Sequence, residues 1–164
     1  MGDHTEAIAI DFDPSLITYV DLLATFFDGH NCAASFGGRQ YMNAVFFHDA
    51  KQKELADKAR AQAARNRGLE LKEVKTGILP ATAFTYAEEY HQKYALTRHP
   101  LVREFLRETY PGTKALADST VATRLNAWLG GGLHEDFTVF TKEIEGYGLP
   151  KQIRKYVENT VKRR

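Results

Sequence analysis

Three side chains near the start of the chain have the chemistry of a reaction site: Glu6, Cys32 and Tyr41. A partly buried carboxyl has a raised pKa and can donate a proton near neutral pH. A phenol keeps its proton at neutral pH and is a stable hydrogen-bond donor. A thiol attacks electrophilic centres as its thiolate. Read as residues alone, each also has a plainer meaning. Glu6 fits an exposed strand start, Tyr41 fits ordinary packing, and Cys32 fits an inert loop thiol. His30 is close to Cys32 in sequence, which does not establish contact in space. No His, Asp, Glu or Cys spacing resembles a metal site.

The elements that must position these groups follow from the pattern. Thr5 to Phe12 alternates, with Ile8, Ile10 and Phe12 on one side, and predicts a half-buried strand. Asp13-Pro14-Ser15 predicts a turn and a helix start. Leu16, Tyr19, Val20, Leu23, Phe26 and Phe27 recur at helical spacing, and Gly29 ends that helix. After Gly37-Gly38, a turn signal, Tyr41 stands where a loop runs into the apolar strand Ala44 to Phe47. A helix is predicted over Ala50 to Arg67, a strand over Leu69 to Leu79, and a short helix over Ala87 to Tyr94. Beyond Arg98-His99-Pro100 four helices and no strand are predicted, with a hinge at Gly130-Gly131-Gly132. The last helix carries Ile153, Tyr156, Val157 and Val161 on one face. Its other face holds Lys151, Arg154, Lys155, Lys162, Arg163 and Arg164. That basic face suits an acidic partner surface or, more simply, solvent.

Bulk properties narrow the class. With 43% hydrophobic and 26% charged residues, the composition is that of a globular protein. A formal net charge of +1 offers no global attraction for nucleic acid. No apolar run approaches the ~20 residues of a membrane helix. The N-terminus reads as neither a signal nor a transit peptide. The single cysteine cannot form an intrachain disulfide and fits a reduced, cytoplasmic setting.

Four segments in order carry a family resemblance. Gly38-Arg39-Gln40-Tyr41-Met42-Asn43-Ala44-Val45-Phe46-Phe47-His48-Asp49 resembles the Gly-Thr-Gln-Tyr-Arg-Ser-Ala-Ile-Phe-Tyr-His-Asp segment of the peptide methionine sulfoxide reductase A family. Asp3-His4-Thr5-Glu6-Ala7 is similar to its Gly-His-Ala-Glu-Ala/Val. Asp13 to Leu23 is similar to its Asp-Pro-x-x-Ile-Ser-Tyr-x-x-Leu-Leu. Tyr86 to Tyr94 is similar to its Ala-Glu-x-Tyr-His-Gln-x-Tyr. The traceable resemblance runs from Asp3 to Tyr94.

The resemblance implies roles. Glu6 and Tyr41 match family residues that address the sulfoxide oxygen, while His4, Gln40 and His91 match as framework. The implied reaction reduces methionine S-sulfoxide in proteins, with an external thiol reductant such as thioredoxin and no bound cofactor or metal. Departures are as informative. The family's Gly-Cys-Phe-Trp segment, with its nucleophilic cysteine, has no counterpart in this sequence. Cys32 does not occupy the nucleophile's place, and the family's aspartate before Gly-Thr-Gln-Tyr becomes roughly Phe36.

The expectations are therefore specific. The fold class is α+β: a two-layer, ferredoxin-like α/β domain over 1–97, lacking the family's N-terminal part, and an all-helical extension over 98–164. Three explanations for the incomplete sheet stay open: the sequence is a fragment or truncated product, the helical extension covers the exposed face, or a partner chain or second copy completes the sheet. The function is methionine S-sulfoxide reduction, weak or absent in this chain alone unless Cys32 serves as a relocated nucleophile. The alternative is a non-catalytic binding or scaffold domain that uses its helical extension for a partner.

Overall fold

The computed structural model describes residues 4–35, 37–131 and 137–163. Asp3, Phe36, Gly132 and Arg164, which figure in the sequence readings above, lie outside the described residues. The chain falls into two compact units, Met1–Phe84 and Thr85–Arg164. Helices and a small parallel sheet together make it an α+β chain.

In unit 1, helix α1 (Tyr19–Asp28) begins later than the Pro14 signal predicts. The Asp13 carboxylate is used in a local turn, accepting from Ser15 N at 2.8 Å and Ser15 Oγ at 2.7 Å. The helix starts instead at Thr18, where a reciprocal capping box with Asp21 satisfies two amide donors. Gly29 follows its last turn as expected. Leu23 and Phe27 are buried, whereas Leu16 and Val20 are exposed.

Strand β1 (Ala44–Phe47) runs parallel to β2 (Gly77–Pro80), in register from Ala44 against Gly77 to Phe47 against Pro80. Helix α2 (Ala50–Asn66) connects them. Asp49 caps its start by accepting from Gln52 N at 2.7 Å. Its buried residues, Ala56, Ala63 and Ala64, are small, which suits close packing. Arg67 ties the ends of both helices, donating to the Phe27 carbonyl at 2.6 Å and the Ala63 carbonyl at 3.4 Å. A β-carbon at Gly77 would lie 3.2 Å from Met42 Cε, a tight contact with the end of a flexible side chain.

Two predicted elements of this unit are corrected. Residues 5–12 form no strand: Ile8 is 84% exposed and Ile10 54%. Alternation marks the two sides of an extended chain, but a strand also needs a neighbour for its amides. The strand predicted over Leu69 to Leu79 shrinks to β2. Residues Leu71–Glu73 form a 3₁₀ turn, because Glu73 accepts from the Glu70 amide at 2.7 Å.

Unit 2 is helical. The helix predicted over Ala87 to Tyr94 is replaced by two 3₁₀ turns, Glu89–His91 and Tyr94–Arg98, interrupted by Lys93 with φ of +50°. Then come α3 (Pro100–Thr109), α4 (Thr113–Asp118), α5 (Thr120–Gly130), α6 (Phe137–Glu143) and α7 (Lys151–Lys162). Where four helices are predicted beyond Arg98-His99-Pro100, the described residues form five, because the Ser119 hydroxyl accepts from Ala122 N at 3.1 Å and caps a new start that separates α5 from α4. Val102, Leu106, Leu125, Leu129, Phe140 and Val157 are fully buried in the core of this unit. No helix among the described residues is long and apolar enough to cross a membrane.

Candidate functional site

The two motif segments that carry Glu6 and Tyr41 meet in unit 1. Gly38, with φ of +94°, turns the chain into a 3₁₀ turn, Arg39–Tyr41, which leads through Met42 into β1. Across from this turn lies the extended segment around Glu6. Glu6 N donates to the Gln40 carbonyl at 2.9 Å, and Thr5 Oγ1 donates to the Arg39 carbonyl at 3.0 Å. Gln40 Nε2 donates to Glu6 Oε1 at 2.9 Å. Residues 34 apart in sequence are thereby joined by main chain and side chain.

The electrostatic setting is open. Glu6 and His4 are exposed, and Tyr41 is 56% exposed. Just beyond, the Asn43 carbonyl accepts from Gly77 N at 2.9 Å, while Asn43 Nδ2 is buried without a partner. On α1 the Tyr19 hydroxyl is also buried without a partner. Burial, followed by the charge of Asp49, raises the Tyr19 pKa above the usual phenol value.

Cys32 is elsewhere in character. It is fully buried in the small core of unit 1, with Phe27, Ala63, Ala64 and Val74. Its carbonyl accepts from Lys75 N at 2.7 Å and from the Thr76 hydroxyl at 3.5 Å. His30 is not free to act as its base. Its Nδ1 lies 2.6 Å from the Phe26 carbonyl and its Nε2 2.9 Å from Thr76 Oγ1. The thiol is thus closed to a substrate in the folded chain, and Glu6 and Tyr41 are not.

His91 belongs to unit 2, is exposed, and stacks on Tyr90 with ring centroids 4.2 Å apart. No pattern of spacing signals the ionic centre of unit 2. The Glu143 carboxylate accepts from Arg124 Nε at 3.0 Å, Trp128 Nε1 at 3.1 Å and Tyr147 Oη at 2.6 Å. Burial works against the Glu143 charge, but these donors hold its carboxyl below the ordinary value of 4.5. Burial and the Glu143 hydrogen bond push the Tyr147 phenol up to about 12. Among the described residues no group of three or more His, Cys, Asp or Glu could hold a metal ion.

A protein-family model described as peptide methionine sulfoxide reductase matches residues 1–124. The chain belongs to this family. A peptide methionine sulfoxide reductase of Drosophila melanogaster is 35% identical over 159 residues, covering 95% of this chain and 61% of that protein. The MsrA protein of Methanococcoides burtonii is 41% identical over 96 residues, 56% of this chain and 62% of its own. The reductase named A5 of rice, Oryza sativa subsp. japonica, is 33% identical over 135 residues, 78% of this chain and 51% of its own. The chain thus spans about half to three-fifths of the length of these relatives. Similarity to the reductase family also extends beyond Tyr94, where the motifs stop, into α5 and, in the fly relative, over nearly the whole chain.

Proposed function

We propose that this chain binds methionine S-sulfoxide in oxidised proteins or peptides for reduction, with Glu6 and Tyr41 addressing the sulfoxide oxygen. One observation carries the reading: the Glu6 and Tyr41 motifs are joined at one place by the Gln40–Glu6 contact at 2.9 Å. A sulfoxide oxygen is a strong hydrogen-bond acceptor. It becomes more basic as sulfur is reduced, so donors aimed at it favour the reaction. In the full reaction a thiol attacks the sulfoxide sulfur, the oxygen passes to the thiol sulfur as a sulfenic acid, and the thioether is released. Two further thiols, from a reductant such as thioredoxin, then return the sulfenic acid to thiol, are oxidised to a disulfide and release water.

The finer fold reading belongs here too. Unit 1 is part of a two-layer, ferredoxin-like domain whose sheet is larger than the β1–β2 pair. The exposed Ile8 and Ile10 support a covering surface, supplied by a partner or a second copy.

A second reading is favoured by the fully buried Cys32: this chain alone recognises the sulfoxide without turning it over. Both readings are separated by incubating a peptide bearing S-methionine sulfoxide with the chain and dithiothreitol, beside Cys32→Ser and Tyr41→Phe. The expected result is that the chain and Cys32→Ser turn over equally little, while Tyr41→Phe binds the peptide more weakly, on the order of tenfold. Rapid turnover abolished by Cys32→Ser would make Cys32 the nucleophile. Failure of the chain to bind the peptide at all would leave a scaffold domain.

A further inference from the structure

Gln40 makes two different contacts with Glu6. Its main-chain carbonyl accepts from Glu6 N, and its side-chain Nε2 donates to Glu6 Oε1, each at 2.9 Å. Residues 4–12 belong to no helix or strand, so the placement of Glu6 rests on such individual bonds. The main-chain bond, with the Thr5–Arg39 bond beside it, fixes the segment. The side-chain bond does something the others do not: it distinguishes the two carboxylate oxygens.

The distinction matters for proton donation. A free carboxyl rotates broadly about its last torsion and can carry its proton on either oxygen. When an amide N–H occupies Oε1, that oxygen is the acceptor and the proton of the acid form is on Oε2. The amide can supply this bond because its Nε2 is a donor only.

We propose that Gln40 is a positioning residue for sulfoxide recognition: it holds Glu6 Oε1 so that Oε2 is the oxygen left to face the substrate oxygen. Gln40 does not itself touch substrate. This rests on the oxygen-holding reading of Glu6 and Tyr41 given above and names the group that orients it.

The test uses the full 164-residue chain and two peptides, one with S-methionine sulfoxide and one with methionine at the same position. The readout is the preference for sulfoxide over sulfide, taken from the two dissociation constants. Gln40→Met keeps side-chain length and the main-chain carbonyl but removes the N–H. It is expected to lower the preference by up to about tenfold, the scale of one lost hydrogen bond. Glu6→Gln should lower it at least as much, and adding Gln40→Met to Glu6→Gln should lower it no further. Thr5→Val, which loosens the same segment without touching the carboxylate, should change it far less. Equal losses in Thr5→Val and Gln40→Met would overturn the proposal, because segment placement alone would then suffice. So would an unchanged preference in Gln40→Met, or additive losses in the double variant. No preference in the unaltered chain, or a preference unaffected by both Glu6→Gln and Tyr41→Phe, would overturn the oxygen-holding reading itself and this inference with it.

Discussion

Unit 1 carries the recognisable chemistry, and unit 2 carries the better-built core. The Glu6 and Tyr41 segments lie on exposed, irregular backbone, joined by a few hydrogen bonds. Their unit has a small core of Phe27, Cys32, Ala63, Ala64 and Val74. Unit 2 closes a larger core of Leu, Val, Ile, Phe and Trp side chains and holds a half-buried glutamate, Glu143, that accepts from Arg124, Trp128 and Tyr147. The difference teaches that motif density and packing density need not coincide. A group that must reach a substrate is held by directional bonds at the surface, while stability comes from apolar burial elsewhere.

The largest effect should come from the core of unit 2. Phe140 is fully buried and meets Trp128 edge-on at 5.1 Å between ring centroids. Phe140→Ala should destabilise unit 2 by about 3–5 kcal/mol. Urea unfolding followed by fluorescence of Trp128, the only tryptophan, reads this unit directly. A loss below about 1 kcal/mol would erase the contrast between the units.

Next in size is the Glu143 centre. Glu143→Ala should cost about 2–3 kcal/mol, since it leaves the Arg124, Trp128 and Tyr147 donors without their shared acceptor. The pH dependence has a definite sign. The folded carboxyl is held below 4.5, so its stabilisation is present above that value and is lost as pH falls through the folded pKa. Tyr147, raised from 10 to about 12, contributes stability that is complete below pH 10 and is lost as pH climbs through about 12. The Trp128 unfolding midpoint measured across pH should show both limbs, and Glu143→Gln should flatten the acid one.

Smaller again is the effect at Cys32. Cys32→Ser places a hydroxyl in an apolar core and should cost about 1–3 kcal/mol, more than Cys32→Ala. A thiol-labelling reagent should react with the native chain only as fast as unit 1 opens. Immediate labelling would mean that the thiol is reachable and would restore Cys32 as a candidate nucleophile.

The smallest stability effect belongs to the site itself. Thr5→Val removes one exposed hydrogen bond and should cost less than about 1 kcal/mol. It should nonetheless speed hydrogen exchange at the Glu6 amide, while exchange at Leu125 in α5 stays slow.

Much of this was legible in the sequence where local signals agree. Asp49 at the start of α2 and Arg67-Gly68 at its end mark that helix, and the Ala44 to Phe47 run marks β1. The apolar stripe of α7 marks its buried side, with Ile153 and Val157 inside. Misreadings arose where a side chain captured the backbone: Asp13 delays α1, Glu73 shortens β2, and Ser119 splits α4 from α5. Period-two alternation over residues 5–12 could not reveal that no strand pairs with them. The burial of Cys32 was hidden because it stands in a loop with no periodic pattern to assign it a side. It is Lys75 and Thr76, from the distant approach to β2, that fold over it. Family motifs named Glu6 and Tyr41 as a pair, but only the structure shows Gln40, the residue before Tyr41, bonded to Glu6.

The most direct test of the central claim is an amide chemical-shift map of the 164-residue chain titrated with a peptide carrying S-methionine sulfoxide. The expected result is saturable shifts at Glu6, Gln40 and Tyr41, none at α5 or α6, and none with the methionine peptide. Shifts confined to unit 2, equal shifts with both peptides, or no shifts at all would contradict it.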